Sequence, residues 1–287
     1  MKILITGSTG FVGRYITNVL IDKYTLVLPV RNFQKAKNVL NLNKKAKLIS
    51  FTENLDEIVI NEKPDVIINL LGILKEDRKN NMTYEKVHYV FTQRLVDGAL
   101  KASSVKHFVQ MSALGASISS KSRYFKTKAA AENYIKSVKL KYSIFRPSII
   151  MGKEQLLFKQ FKQLSKVSPF FIAPKGKVQP VHILDVRDCI VKVVENFQRN
   201  NIYELCGNKV VTYKELFKFV LEYLGIRRPV IEVDKMLLLP VALLGNFVDQ
   251  LPLNYEQWLM LEKDNVCSGK YPGVKSLLKS IRNPFEL

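Results

Sequence analysis

The sequence predicts an α/β fold: a doubly wound parallel sheet in the first half of the chain, with a smaller C-terminal α/β lobe. Short apolar runs alternate with longer stretches of helical period, the pattern of a sheet covered by helices on both faces. A glycine-rich turn follows the first run and opens the first helical stretch. The chain has 287 residues, 47% hydrophobic and 24% charged, enough for one large domain or two closely packed lobes around an apolar core. Disorder, collagen and a small disulfide-stapled scaffold are excluded.

The apolar runs are Ile3 to Ile5, Thr25 to Val30, Lys47 to Ser50, Val66 to Leu70, His107 to Met111 and Tyr142 to Phe145. Between them the 3.6-residue period predicts helices over 11 to 22, 33 to 42, 54 to 61, 83 to 102 and 124 to 138, spaced as right-handed βαβ crossovers require. After Arg146-Pro147 the rhythm loosens, with helices near 154 to 166, 185 to 198 and 212 to 224. Residues 1 to 150 therefore read as a nucleotide-binding domain and 151 to 287 as a smaller substrate or partner lobe. No low-complexity linker separates them, so the two share an interface.

The strongest motif is Thr6-Gly7-Ser8-Thr9-Gly10-Phe11-Val12-Gly13. Gly7 permits the tight turn, Gly10 lets backbone approach a pyrophosphate, and Gly13 allows close helix-to-strand packing. The following helix points its free N–H groups at the phosphates. This is the phosphate loop of a Rossmann-type domain. Cofactor choice is read at Val30-Arg31-Asn32, where no acid is present to bind a ribose 2'-hydroxyl. Arg31, with Lys35, suits a 2'-phosphate, which favours NADP(H) over NAD(H); the alternative is that Arg31 stacks on adenine or faces solvent. Asn69 and Gly72 end the fourth strand, at the edge where such sheets bind ligands.

Ser112 closes the fifth strand, and Tyr124 and Lys128 follow, four residues apart on one helical face. A charged Lys128, with a bound nicotinamide nearby, would draw the phenol of Tyr124 down toward neutrality for proton exchange with a carbonyl or alcohol, and Ser112 would bond the same oxygen. Tyr271 and Lys275 repeat the spacing, but only the first pair follows the fifth strand.

Net charge is +20, concentrated in residues 1 to 150, which hold 25 basic and 11 acidic side chains. Such a field attracts anions. The lysines are scattered, without a basic block or aromatic-interleaved motif, so nucleic acid is not the expected partner. His88, His107 and His182 are isolated and predict no metal site. Cys189, Cys206 and Cys267 lie too far apart for a CxxC pair, and a reducing compartment is expected. No secretion signal is read, which points to the cytoplasm. Residues 236 to 248, MLLLPVALLGNFV, are too short to span a bilayer as a helix and contain Pro240 and Gly245. A buried or hairpin helix is expected there, with a peripheral contact on the inner face of the cytoplasmic membrane, or a protein-docking segment, as the alternative.

Taken together, TGSTGFVG, NLLG, Ser112, YFKTK and Arg146-Pro147-Ser148 resemble the short-chain dehydrogenase/reductase superfamily in its extended or atypical form, over almost the whole chain. Ser112 to Ala116, Ser122 to Lys128, Arg146 to Gly152, Gln179 to His182 with Asp185-Val186, and Asp264 to Val266 are similar to the branch containing the nucleotide-binding accessory subunit of respiratory complex I and its bacterial relatives. The resemblance implies a bound dinucleotide contacted by Gly7, Thr9, Gly10, Phe11, Val12, Gly13, Arg31, Asn69, Leu70, Gly72 and Lys128, with Pro147 and Ile149 walling the nicotinamide. Ser112, Tyr124 and Lys128 match the superfamily's catalytic residues. Ala113 stands where many extended relatives carry a second hydroxyl, and His88 where they carry Asn. The branch implies NADPH held for stability, assembly or a quinone-linked role, with a respiratory complex as partner. The alternative is an active NADP(H)-dependent oxidoreductase or epimerase/dehydratase using Tyr124 and Lys128.

Overall fold

The structure, a computed structural model, describes residues 1–196, 200–245 and 253–287. Three βα units open the chain: β1 (Lys2–Thr6), α1 (Phe11–Leu20), β2 (Thr25–Val30), α2 (Phe33–Val39), β3 (Ala46–Ser50) and α3 (Leu55–Glu62). After β4 (Val66–Asn69), a π-helical turn (Glu85–Val90) runs into α4 (Phe91–Ala102), followed by β5 (His107–Met111), α5 (Arg123–Ser137) and β6 (Tyr142–Pro147). These six strands and β7 (Asn201–Leu205) form one parallel sheet in the order β7-β6-β5-β4-β1-β2-β3. The order reverses between β1 and β4, whose carboxyl ends Thr6 and Asn69 are paired, and a ligand crevice opens there.

The strands are apolar on both faces because helices cover both. Ile3, Ile5, Leu26, Leu28 and Ile68 pack on Ile16 and Leu20 of α1 and on Val186, Ile190 and Val194. The alternate residues Leu4, Val27, Ile67 and Phe108 meet Val59, Phe91, Leu95 and Ile135 on the opposite side. This period-two division of a continuous apolar run is the expected reading of a doubly covered parallel strand.

The second half supplies α6 (Leu156–Leu164), α7 (Ile183–Glu195) and α8 (Tyr213–Tyr223), and a ladder of Phe171–Pro174 with Val230–Val233. Phe158, Phe161, Phe171 and Leu216 form the core of this smaller lobe. α7 packs on α1 and β7 extends the large sheet, so chain beyond residue 150 returns to complete the first layer. The helix expected to reach 198 ends in the structure at Glu195; residues 197 and 198 lie outside the described residues.

Two expectations are corrected. Cys206 and Cys267 form a disulfide, with Cα atoms 6.1 Å apart and a sequence separation of 61. Local spacing could not show this pair. It arises because Glu204 of β7 accepts hydrogen bonds from the Ser268 N–H and hydroxyl, which draws the late segment alongside. The second concerns the apolar segment 236 to 248. Lys235–Leu238 is a 3-10 turn and α9 spans Leu239–Leu244, but Met236, Leu237, Leu243 and Leu244 are 46 to 69% exposed rather than buried. Residues 246 to 248 lie outside the described residues. Among the described residues no helix is long and apolar enough to cross a membrane. The last helix, α10, spans Tyr255–Met260.

Candidate functional site

The crevice at the carboxyl edge of the sheet holds two adjoining cavities. The larger, about 540 Å³, is lined by Gly7, Gly10, Phe11, Val12, Gly13, Leu70, Gly72, Ser112, Tyr124, Lys128, Pro147 and Ile149 among others. The smaller, about 180 Å³, is lined by Thr9, Arg31, Phe51, Leu71 and Lys75, and shares Gly7 and Gly72 with the first. The sequence-predicted residues therefore converge, except Asn69 and Lys35.

The glycine loop is held by close backbone contact. Gly7 sits at φ +72°, and a Cβ on Gly13 would fall 2.1 Å from Gly7 O, so neither position accepts a side chain without a shift of backbone. Gly10 caps α1 with no side-chain hydrogen bond, and the first turn carries no acid. The helix thus presents unpaired N–H groups and the positive end of its dipole to the crevice, a fit for an anionic diphosphate. Gln155 Oε1 is buried in the wall of the larger cavity without a hydrogen-bond partner, an acceptor suited to a carboxamide N–H. The residues present therefore fit a nicotinamide dinucleotide.

Asn69 plays a different part from the one expected. It is fully buried and does not line either cavity. Its Oδ1 accepts from Thr6 Oγ1 at 2.7 Å, and its Nδ2 donates to Gln110 Oε1 at 2.9 Å and Thr92 Oγ1 at 3.0 Å. With every polar atom satisfied, it ties β1, β4, β5 and α4 together beneath the crevice. Lys35 also stays outside the cavities, and its N–H is capped by Asn32 Oδ1.

Tyr124, Lys128 and Glu132 follow one face of α5, all buried. Lys128 Nζ donates to the carbonyls of Met111 at 3.0 Å and Leu71 at 3.3 Å. Burial pushes its pKa down to about 8, partly opposed by the Glu132 carboxylate. Tyr124 packs edge-on against His88, Tyr84 and Phe125, and burial pushes its phenol up to about 12. Desolvation dominates here and holds the phenol as a proton donor; the expected fall toward neutrality belongs to the state with a nicotinamide bound beside it.

Ser112 Oγ donates to Glu132 Oε1 at 2.5 Å. The same carboxylate receives Arg146 through Nε at 2.8 Å and Nη2 at 2.5 Å, and Arg146 lies over the Tyr271 ring. The Ser112 proton is committed away from the cavity, leaving its oxygen as an acceptor. His88 is also occupied: Nε2 accepts from the Ile73 N–H at 3.1 Å, so Nδ1 carries the proton and faces Thr127 Oγ1 at 3.0 Å. Burial, and then Lys128, hold this imidazole neutral. It clamps the 71–74 loop to α5. Sequence reasoning missed Glu132, although Tyr124, Lys128 and Glu132 stand at i, i+4 and i+8.

Lys128 gives the site a pH dependence. Its folded pKa lies below the 10.5 of a free lysine, so the unfolded chain binds the extra proton and stability rises with pH from about 8 to about 10.5. Binding of an anionic dinucleotide runs the other way, because the native protein loses the Lys128 cation around pH 8. Calorimetric affinity should fall between about pH 7 and about pH 9.5 in the native protein and stay flat in Lys128→Met. A flat native profile would remove Lys128 from the binding face.

Fold and crevice define a dinucleotide-binding protein of the doubly wound class. The model of the NAD dependent epimerase/dehydratase family matches residues 3–206. The chain is 27% identical over 247 residues to the NADH-ubiquinone oxidoreductase 40 kDa subunit of Neurospora crassa, covering 82% of this chain and 64% of that protein. It is 30% identical over 221 residues to NADH dehydrogenase (ubiquinone) 1 alpha subcomplex subunit 9 of Arabidopsis thaliana, covering 73% of this chain and 54% of that one. The chain thus spans between half and two thirds of the length of these relatives. Among solved structures, the UDP-glucuronic acid 4-epimerase of Bacillus cereus, in complex with UDP-glucuronic acid and NAD, superposes with a TM-score of 0.72 at 17% identity, over 99% of this chain and 95% of that one. The chain belongs to the NAD-dependent epimerase/dehydratase family, the extended short-chain dehydrogenase/reductase type, which supports nicotinamide dinucleotide binding.

Proposed function

We propose that this protein holds NADP(H) as a resident ligand in an accessory or assembly role linked to a respiratory, quinone-reducing complex, rather than as an enzyme in steady turnover. The observation that carries this reading is the commitment of the Ser112 proton to Glu132 at 2.5 Å, which leaves a substrate carbonyl with Tyr124 as its one hydroxyl donor in that wall. The similarity to complex I subunits supports the partner. The loop from Gly7 to Gly13 would hold the diphosphate, Lys128 and Gly72 the nicotinamide ribose, and Pro147 and Ile149 the ring. When bound, the cofactor would supply a hydride donor. The protein's own residues hold Tyr124 protonated and keep the Ser112 proton on the far side. A peripheral membrane or partner contact is supported by exposed Met236, Leu237, Leu243 and Leu244 beside Lys235.

Arg31 supports the phosphorylated cofactor: it is exposed at the rim of the smaller cavity, at the end of β2, with no acid beside it in sequence. Arg31→Glu should weaken NADPH about 10- to 100-fold, the worth of one or two charge-assisted hydrogen bonds, and leave NADH within about threefold. The nucleotide copurifying with native protein should contain the 2'-phosphate and exchange slowly. Copurified NADH, or equal losses for both nucleotides in the variant, would overturn the NADP assignment.

A further inference from the structure

Next to the expected nicotinamide position the larger cavity changes character. Tyr124 sits in a small apolar cluster with Ala113, Phe125 and Tyr84, against which Ile73 and Met260 pack. Leu74 and Leu114 complete that end of the wall. Gly115, at φ +95°, places its Cα against the Phe125 ring, where a Cβ would come within 3.0 Å of Cζ; a side chain there would displace the ring that forms the floor. Sequence elements from four places thus converge: the loop after β4, the loop after β5, α5 and α10.

Several of the polar groups that line the cavity are engaged, and the unpaired Gln155 Oε1 is the acceptor matched above to the carboxamide. Ser148 Oγ donates to Asn265 Oδ1 at 2.5 Å, Glu154 accepts from Tyr15 Oη at 2.7 Å, and the Ser112 hydroxyl donates to Glu132. The Tyr124 hydroxyl makes no hydrogen bond to the described residues and stays protonated over the physiological range. Each sugar hydroxyl moved from water into such surroundings without a new partner costs about 1–3 kcal/mol. A flat hydrocarbon carrying one carbonyl loses nothing comparable: its rings cover Leu74, Leu114, Phe125 and Met260, and its oxygen accepts from Tyr124 Oη.

We propose that this end of the cavity is a subsite for an apolar cyclic carbonyl compound and not for a sugar nucleotide. The proposal rests on the nucleotide occupying the rest of the crevice, and it holds whether or not hydride transfer follows.

The probe is 1-tetralone, titrated into NADPH-loaded protein with the fluorescence of the bound nucleotide as readout and UDP-glucose and UDP-glucuronic acid run in parallel. Tetralone should give a saturable change with a dissociation constant on the order of 100 µM, as expected for a ligand of its size, while the sugar nucleotides give none at tenfold higher concentration. Leu74→Glu, at a half-exposed position, and Met260→Glu, made separately, should each weaken tetralone at least about tenfold with NADPH affinity unchanged. Sugar-nucleotide binding tighter than tetralone, no tetralone signal, or tetralone affinity indifferent to both variants would overturn the subsite. Failure of the protein to retain NADPH would overturn the nucleotide reading as well, and loading is measured first, so the two failures are distinguishable.

Discussion

Gly10→Asp is expected to abolish dinucleotide binding while leaving the fold at least as stable. Gly10 is the N-cap of α1, in extended backbone (φ −77°, ψ 176°) that any residue adopts. A Cβ there would lie 3.2 Å from Gly7 O, a contact relieved by a shift of a few tenths of an ångström. Asp is among the best N-caps, and its carboxylate would satisfy the free N–H groups of the first turn, worth about 1 kcal/mol. The same carboxylate would then occupy the space and the charge of a diphosphate. A unit charge 4 Å from another at an effective dielectric near 20 interacts by about 4 kcal/mol, and about 2.7 kcal/mol already corresponds to a hundredfold loss. Calorimetry should therefore show affinity lowered by at least about 100-fold, while the urea midpoint holds or rises. Both quantities falling together would mean that the loop is chiefly a folding element. Unchanged affinity would place the diphosphate somewhere other than the α1 terminus.

The opposite signs expected for binding and stability reflect what the sequence could and could not convey. The glycine loop and the first six strands were legible because a parallel strand covered on both sides must be continuously apolar, because Gly7 takes a positive φ, and because a Cβ on Gly13 would meet Gly7 O at 2.1 Å. β7 was not legible. Its sequence, Asn-Ile-Tyr-Glu-Leu, is half polar, as suits an edge strand paired only with β6, and Glu204 is spent on Ser268. Asn69 was placed correctly along the chain but its direction was misread. In β4 the residues alternate, Ile67 facing the α3–α4 layer, and Asn69 continues that parity to meet Thr92 of α4 rather than the crevice. The Tyr124–Lys128 pair was legible as geometry and illegible as electrostatics. Spacing brings the two side chains to one face, yet whether the phenol falls or rises depends on burial, and burial pushes it up to about 12.

The buried ion pair beneath the site leads to the second large effect. Glu132 is 1% exposed and Arg146 14%, joined through both guanidinium contacts, with Ser112 the only other donor recorded on the carboxylate among the described residues. Arg146→Ala would leave that carboxylate buried beside one hydroxyl. Removing one partner of such a pair costs about 3–5 kcal/mol, because the remaining charge keeps its desolvation penalty and loses its compensation. Urea unfolding should show a lower midpoint with an unchanged slope. Replacing both partners, Glu132→Leu with Arg146→Met, should recover most of the loss, since hydrocarbon of similar volume in the same place leaves no uncompensated charge. The comparison separates a pair kept for stability from one kept to hold Ser112. In the double variant the Ser112 hydroxyl no longer donates to Glu132, and its proton becomes available to the cavity. If the pair serves to hold Ser112 as an acceptor, the double variant should be nearly as stable as the native protein yet bind 1-tetralone about tenfold more tightly, through a second hydroxyl donor on the carbonyl. A double variant as unstable as Arg146→Ala would show instead that the site tolerates only the charged pair.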